Sequence, residues 1–153
     1  MTGKQFELTV LAKSGWEKHY QFLDKEQMCR VIRYAQPTDP RYPPKPLGQK
    51  LMTAVQSALK AEWRSRLKLY TALGSPLDDA GIDGFFELEG AMATFDLTIN
   101  LNKKKKGADF IVYHLDFLDE ERLKKLGEAI AGWLETRQWS FIASEKPSPP
   151  CDF

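Results

Sequence analysis

Cysteine is scarce in this chain. There are two in 153 residues, Cys29 and Cys151, and neither sits in a CxxC pair or beside a metal-ligand cluster, which argues against a disulfide framework and a thiolate zinc site and fits a reducing cytoplasm. Histidine is as rare: His19 and His114 lack zinc-ligand spacing. His114, two residues before Asp116, reads as a hydrogen-bonded strand-end residue or an acid–base element. Charge of one sign is missing too, since 22 Lys and Arg face 21 Asp and Glu for a net +1, so any attraction to a polyanion must be local. No stretch approaches the ~20 apolar residues a membrane span needs, and Met1–Gln5 lacks the pattern of a secretory signal. Serine-hydrolase elbows, P-loops and GxGxxG fingerprints are absent, setting aside nucleotide hydrolysis through a P-loop and dinucleotide redox chemistry.

What is present suits one hydrophobic core. Hydrophobic residues make up 42% and charged residues 28%, with 9 Phe, 5 Tyr and 4 Trp, far from the composition of disordered chains, and a chain of this length is about one domain. Phe6, Leu8 and Val10 alternate, as do Trp16, Tyr20 and Phe22, so residues 5–11 and 16–23 predict two strands turning at Ser14-Gly15. Asp24, with Gln27 three residues on, predicts an N-cap and a helix through Ala35. Residues 1–36 thus form a hairpin plus helix. Prolines stiffen the 37–46 connection, 47–139 is the main α/β core, and 140–153 is an extended tail.

Within that core, Leu51, Val55, Leu59, Trp63, Leu67, Tyr70 and Leu73 keep a 3-to-4 spacing that predicts one long helix over 47–73, stopped by Gly74, with Lys60, Arg64, Arg66 and Lys68 on its polar side. Ile82–Glu89 and Ala93–Leu101 read as an antiparallel hairpin, and Ala108–Leu115 as a buried strand. Asp119-Glu120-Glu121 opens a helix whose Leu123, Leu126, Ile130, Trp133 and Leu134 cover the sheet. The fold class expected is α/β (α+β), a small mixed sheet with a central antiparallel hairpin flanked by helices.

The hairpin carries the chemistry. Period-two alternation puts Asp96, Thr98 and Asn100 on one strand face, while Asp83, Glu87 and Glu89 share a parity on the other strand. Carboxylates that approach across a hairpin raise each other's proton affinity unless a cation intervenes, and a hard ion such as Mg²⁺ suits such oxygen ligands. The bland alternative has Asp83 in an Asx turn, Glu87 and Glu89 solvated, and Asp96 together with Thr98 in cross-strand pairs.

Helix, Asp83 in Gly81-Ile82-Asp83-Gly84, then Asp96-Leu97-Thr98 is an order that resembles the PD-(D/E)XK superfamily of restriction-endonuclease-like nucleases. The resemblance spans roughly residues 50–135. It implies a restriction-endonuclease-like core and a Mg²⁺-dependent nuclease, with Asp83 and Asp96 on the metal, Glu62 or Glu87 completing the ligand set, and a lysine activating water. Two departures stand out: Thr98 occupies the lysine position, leaving Lys103 or a neighbour to supply the charge, and no helix separates the hairpin from the next strand. The expected partner is DNA or RNA, engaged through Lys103, Lys104, Lys105 and Lys106. A second copy of the chain is a further candidate, and no membrane is expected. A competing reading makes the chain a protein-interaction module that uses Trp16, Tyr20 and Phe22.

Overall fold

A computed structural model describes residues 1–17, 24–105 and 107–144. It shows a mixed α/β fold in which helices flank a four-stranded sheet of order β1-β2-β3-β4: β1 (Lys68–Thr71), β2 (Gly84–Leu88), β3 (Ala91–Thr98) and β4 (Phe110–Tyr113). β1, β2 and β3 pair antiparallel, and β4 runs parallel to β3 with Phe95 beside Phe110. The expected central hairpin is therefore the β2–β3 pair. Its turn is Glu89-Gly90, both at positive φ (46° and 87°), the two-residue geometry that matches the right-handed twist of the strands.

The sheet buries both faces. Phe86, Leu88, Phe95 and Leu97 meet α1 (Gly3–Val10), α3 (Pro46–Ala58) and α5 (Glu120–Ser144) through Phe6, Val10, Leu51, Val55, Ile130 and Leu134. On the opposite face Tyr70, Phe85 and Met92 meet Cys29 and Ile32 of α2 (Lys25–Tyr34). Each fully buried Phe contributes about 1.5–3 kcal/mol of transfer free energy, so the four phenylalanines Phe6, Phe85, Phe86 and Phe95, all at 0% exposure, anchor the layers. No helix among the described residues is long and apolar enough to cross a membrane.

Four expectations need correction. Residues 3–10 are helical, because Thr2 and Gln5 form a reciprocal capping box and Phe6 and Val10 are the buried pair, whereas Leu8 is 48% exposed. Residues 14–17 have no regular structure: Ser14 N–H donates to Leu73 O and Gly15 N–H to Ala35 O. Residues 18–23 of the expected second strand, with His19, Tyr20 and Phe22, lie outside the described residues. The long helix stops at Ala58, followed by a 3₁₀ turn over Ala61–Arg66 and then β1, since Leu69, Tyr70 and Thr71 pair with β2. Finally, α5 continues through Ser144, beyond the expected start of the tail, and 145–153 lie outside the described residues. The cap on α2 matches expectation: Asp24 accepts the Gln27 N–H, and the Gln27 side chain accepts the Asp24 N–H.

The outer edge of β1 is closed by local chemistry. The Gln36 side chain accepts from Thr71 N–H (2.9 Å) and donates to Thr71 O (3.0 Å), while Leu69 N–H donates to Pro40 O (2.8 Å). The proline-rich connection thus covers a strand edge whose polar groups would otherwise face a neighbour.

Candidate functional site

Asp83 sits where three strands converge. Its N–H donates to Phe95 O (2.9 Å) and its carbonyl accepts Ala72 N–H (2.8 Å), fixing the backbone on both sides. The β2–β3 register pairs Phe85 with Thr94 and Gly84 with Phe95, so one residue further on Asp83 stands opposite Asp96. Asp83 Oδ2 accepts Leu97 N–H at 2.7 Å, and its carboxyl lies within 4.8 Å of that of Asp78. Both Asp83 and Asp96 are buried, at 2% and 4% exposure.

Asp78 comes from α4 (Pro76–Asp79), one turn started by Pro76 at its first position and held by Asp78 Oδ2 accepting Gly74 N–H (3.0 Å). Glu7 comes from α1, whose C-terminal end presses on the site: a Cβ at Gly84 would lie 2.9 Å from Leu11 Cδ1 and 2.8 Å from both Tyr70 O and Phe95 Cζ. Only glycine allows that approach. Gly84→Ala should therefore cost about 1–3 kcal/mol through overpacking, read as a lower urea midpoint; an unchanged midpoint would show that α1 can shift freely. Carboxylate oxygens of Glu7, Asp78 and Asp83 all lie within 4.8 Å of one another, a spacing that could hold a metal ion.

A loop brings in the opposing charge. After β3, Thr98 Oγ1 accepts Asn100 N–H (3.0 Å), Asn100 Oδ1 accepts Asn102 N–H (3.0 Å), and Lys103 N–H donates to Asn100 O (3.1 Å). This turn sends Lys103 back, and its Nζ pairs with Asp96 Oδ2 at 3.0 Å. Thr98, at the position the resemblance gives to lysine, is buried, and its hydroxyl accepts the Asn100 N–H that shapes the turn.

The electrostatics follow from crowding. Burial first, then the hydrogen bond to Asp78, push the Asp83 carboxyl up to about 10, with Asp96 and Glu7 adding to the rise and the Leu97 N–H opposing it. Burial, then the charges of Asp78 and Asp96, also raise Glu7 above the ordinary carboxylate range. The hydrogen bond to Asp96 raises the Lys103 ammonium. Crowding thus favours the protonated form of Asp83, while Asp96 pairs with Lys103.

The remaining expected ligands are elsewhere. Glu87 is tied to Arg33 of α2, whose Nε donates to Glu87 Oε2 at 2.8 Å while its guanidinium lies over the Tyr70 and Phe85 rings; it anchors a helix to the sheet. Glu62 is exposed in the 3₁₀ turn, outside the helix where the resemblance placed it. Glu89 is exposed and pairs with Arg66 at 3.3 Å. His114 starts a 3₁₀ turn and packs edge-on against Phe6. Trp16 packs against the second core cluster. Lys104 and Lys105 are exposed, and Lys106 lies outside the described residues.

Sequence reasoning missed Glu7 and Asp78. The Thr2–Gln5 capping box was the available signal for Glu7, because it fixes a helix and removes the strand parity. For Asp78 the signal was Ser75-Pro76, a helix start. The chain matches no protein-family model, no curated protein and no solved structure.

Proposed function

We propose that this chain is a divalent-metal-dependent phosphodiesterase acting on DNA or RNA in the cytoplasm. One observation carries the reading: the carboxyl groups of Glu7, Asp78 and Asp83 lie within 4.8 Å of one another, and buried Asp96, opposite Asp83 in the β2–β3 register, holds the Lys103 ammonium at 3.0 Å. Such a group is tolerable only if protonated or cation-bound, and an all-carboxylate oxygen set suits Mg²⁺ or Mn²⁺. Asp83 and Asp96 would hold the ion, with Glu7 and Asp78 completing its oxygen shell. A bound ion supplies a more acidic water and neutralises charge on the phosphate.

The protein's own groups do the rest. Glu7 would bring its carboxylate to the ion from α1, beside those of Asp78 and Asp83. Lys103 is placed to stabilise negative charge building on a phosphate oxygen. Lys104 and Lys105, exposed in the same loop, offer local positive charge to a polyanion in a molecule with little net charge.

Calorimetric titration with Mn²⁺ tests the proposal, together with cleavage assays on plasmid, single-stranded DNA and RNA. Saturable binding and ion-dependent cleavage are expected. Glu7→Gln should lower the rate on the order of tenfold or more, a second-sphere or ligand effect of ordinary size. Absence of saturable binding, or cleavage that survives EDTA, would reject it.

A further inference from the structure

We propose that Lys103 is a built-in counter-ion that holds the site closed until a divalent cation displaces it. The inference rests on the metal reading above and concerns how that site is regulated. Its physical basis is that the ammonium already balances charge a metal would balance: Lys103 Nζ lies 3.0 Å from Asp96 Oδ2, and Asp96 stands opposite Asp83, whose carboxyl lies within 4.8 Å of those of Glu7 and Asp78. An ammonium and a divalent ion drawn to the same carboxylates repel one another at such separations. Binding the second therefore drives out the first.

The loop is built to let Lys103 leave. β3 ends at Thr98 and β4 begins at Phe110, yet Phe110 lies beside Phe95. Eleven residues therefore cover an offset of only three strand positions, about 10 Å at ~3.3 Å per residue. The far end is fixed independently of Lys103: Asp109 Oδ2 accepts both Thr94 N–H and the Thr94 hydroxyl at 3.0 Å, and Asp109 N–H donates to Thr94 Oγ1 at 2.9 Å. Ile99 and Leu101, 42% and 57% exposed, have little packing to hold the loop down. The Lys103 side chain is itself one-third exposed, so it can swing into water without crossing the core.

Displacement makes the ion compete with the lysine, so removing the lysine charge should tighten metal binding even though it weakens turnover. Mn²⁺ affinity of the full chain, read by calorimetry without substrate, separates these effects. Lys103→Met should bind Mn²⁺ at least about tenfold more tightly than the wild type, given one charge removed a few ångströms from the ion. Lys103→Arg, which keeps the charge, should stay near the wild-type value. Lys125→Met, a charge loss on the exposed side of α5, should change affinity less than twofold. Unchanged or weaker binding by Lys103→Met, with the wild type still binding, would overturn the counter-ion role and leave the metal site standing. If neither protein binds Mn²⁺, the metal reading fails and this inference with it.

Discussion

Asp96→Asn is expected to reduce metal-dependent phosphodiester cleavage by at least about 10³-fold, equivalent to ~4 kcal/mol of barrier. The side chain is nearly isosteric, so the loss would come from chemistry and not from shape. Asp96 is 4% exposed, stands opposite Asp83 in the β2–β3 register and pairs with Lys103. Replacing it removes one ligand charge and frees the lysine from its position at the same time. The fold should persist, because Asn keeps the volume and relieves like-charge crowding. Single-turnover cleavage and a thermal melt on the same preparation decide the matter: retained cleavage in a folded Asp96→Asn protein would place the active centre elsewhere.

Metal-free protein should lose stability as pH rises, and Mn²⁺ should restore it. The sign follows from Asp83, raised to about 10 in the folded chain from an ordinary value near 3.8. Between those values the folded state keeps a proton that the unfolded state has released. The favourable contribution is fully present below the unfolded value and fades as pH climbs towards 10, with a limiting slope of about 1.4 kcal/mol per pH unit. Glu7, also raised, acts in the same direction. A divalent ion can take the place of the proton, so the melting-point gain on adding Mn²⁺ should be larger at pH 8.5 than at pH 6. Asp83→Asn mimics the protonated carboxyl: it should flatten the pH profile and remove the Mn²⁺ response. A metal-free profile that instead rises from pH 6 to pH 9 would mean that Asp83 is ionised and that the crowding is relieved some other way.

Local signals in the chain were legible where one short-range interaction decides the backbone. Asp24 with Gln27 marks the start of α2, and Leu123 to Leu134 mark the covering face of α5. The β2–β3 hairpin was readable because Glu89-Gly90 suits the tight turn and the flanking strands alternate. That alternation also placed Asp83 and Asp96 on facing strands.

The failures have two physical causes, a local cap left unweighed and contacts between segments distant in sequence. Phe6, Leu8 and Val10 fit a strand as well as a helix until Thr2 and Gln5 are weighed. Trp63, Leu67 and Tyr70 keep helical spacing, yet pairing of Tyr70 with Phe85 on a strand distant in sequence overrides local preference. Glu7 and Asp78 join the carboxyl cluster through tertiary approach alone, 71 positions apart in the numbering. The parallel placement of β4 is equally invisible, since nothing in Phe110–Tyr113 states which neighbour it joins or in which direction.

The Gln36 amide and Pro40 carbonyl that seal β1 also limit how this protein can assemble. A sheet able to recruit strands at both margins can polymerise without end, whereas one with a single receptive margin runs out of partners after one pairing. With the Thr71 amide and carbonyl and the Leu69 N–H already engaged, the β1 margin of this sheet is closed to a strand from a second copy.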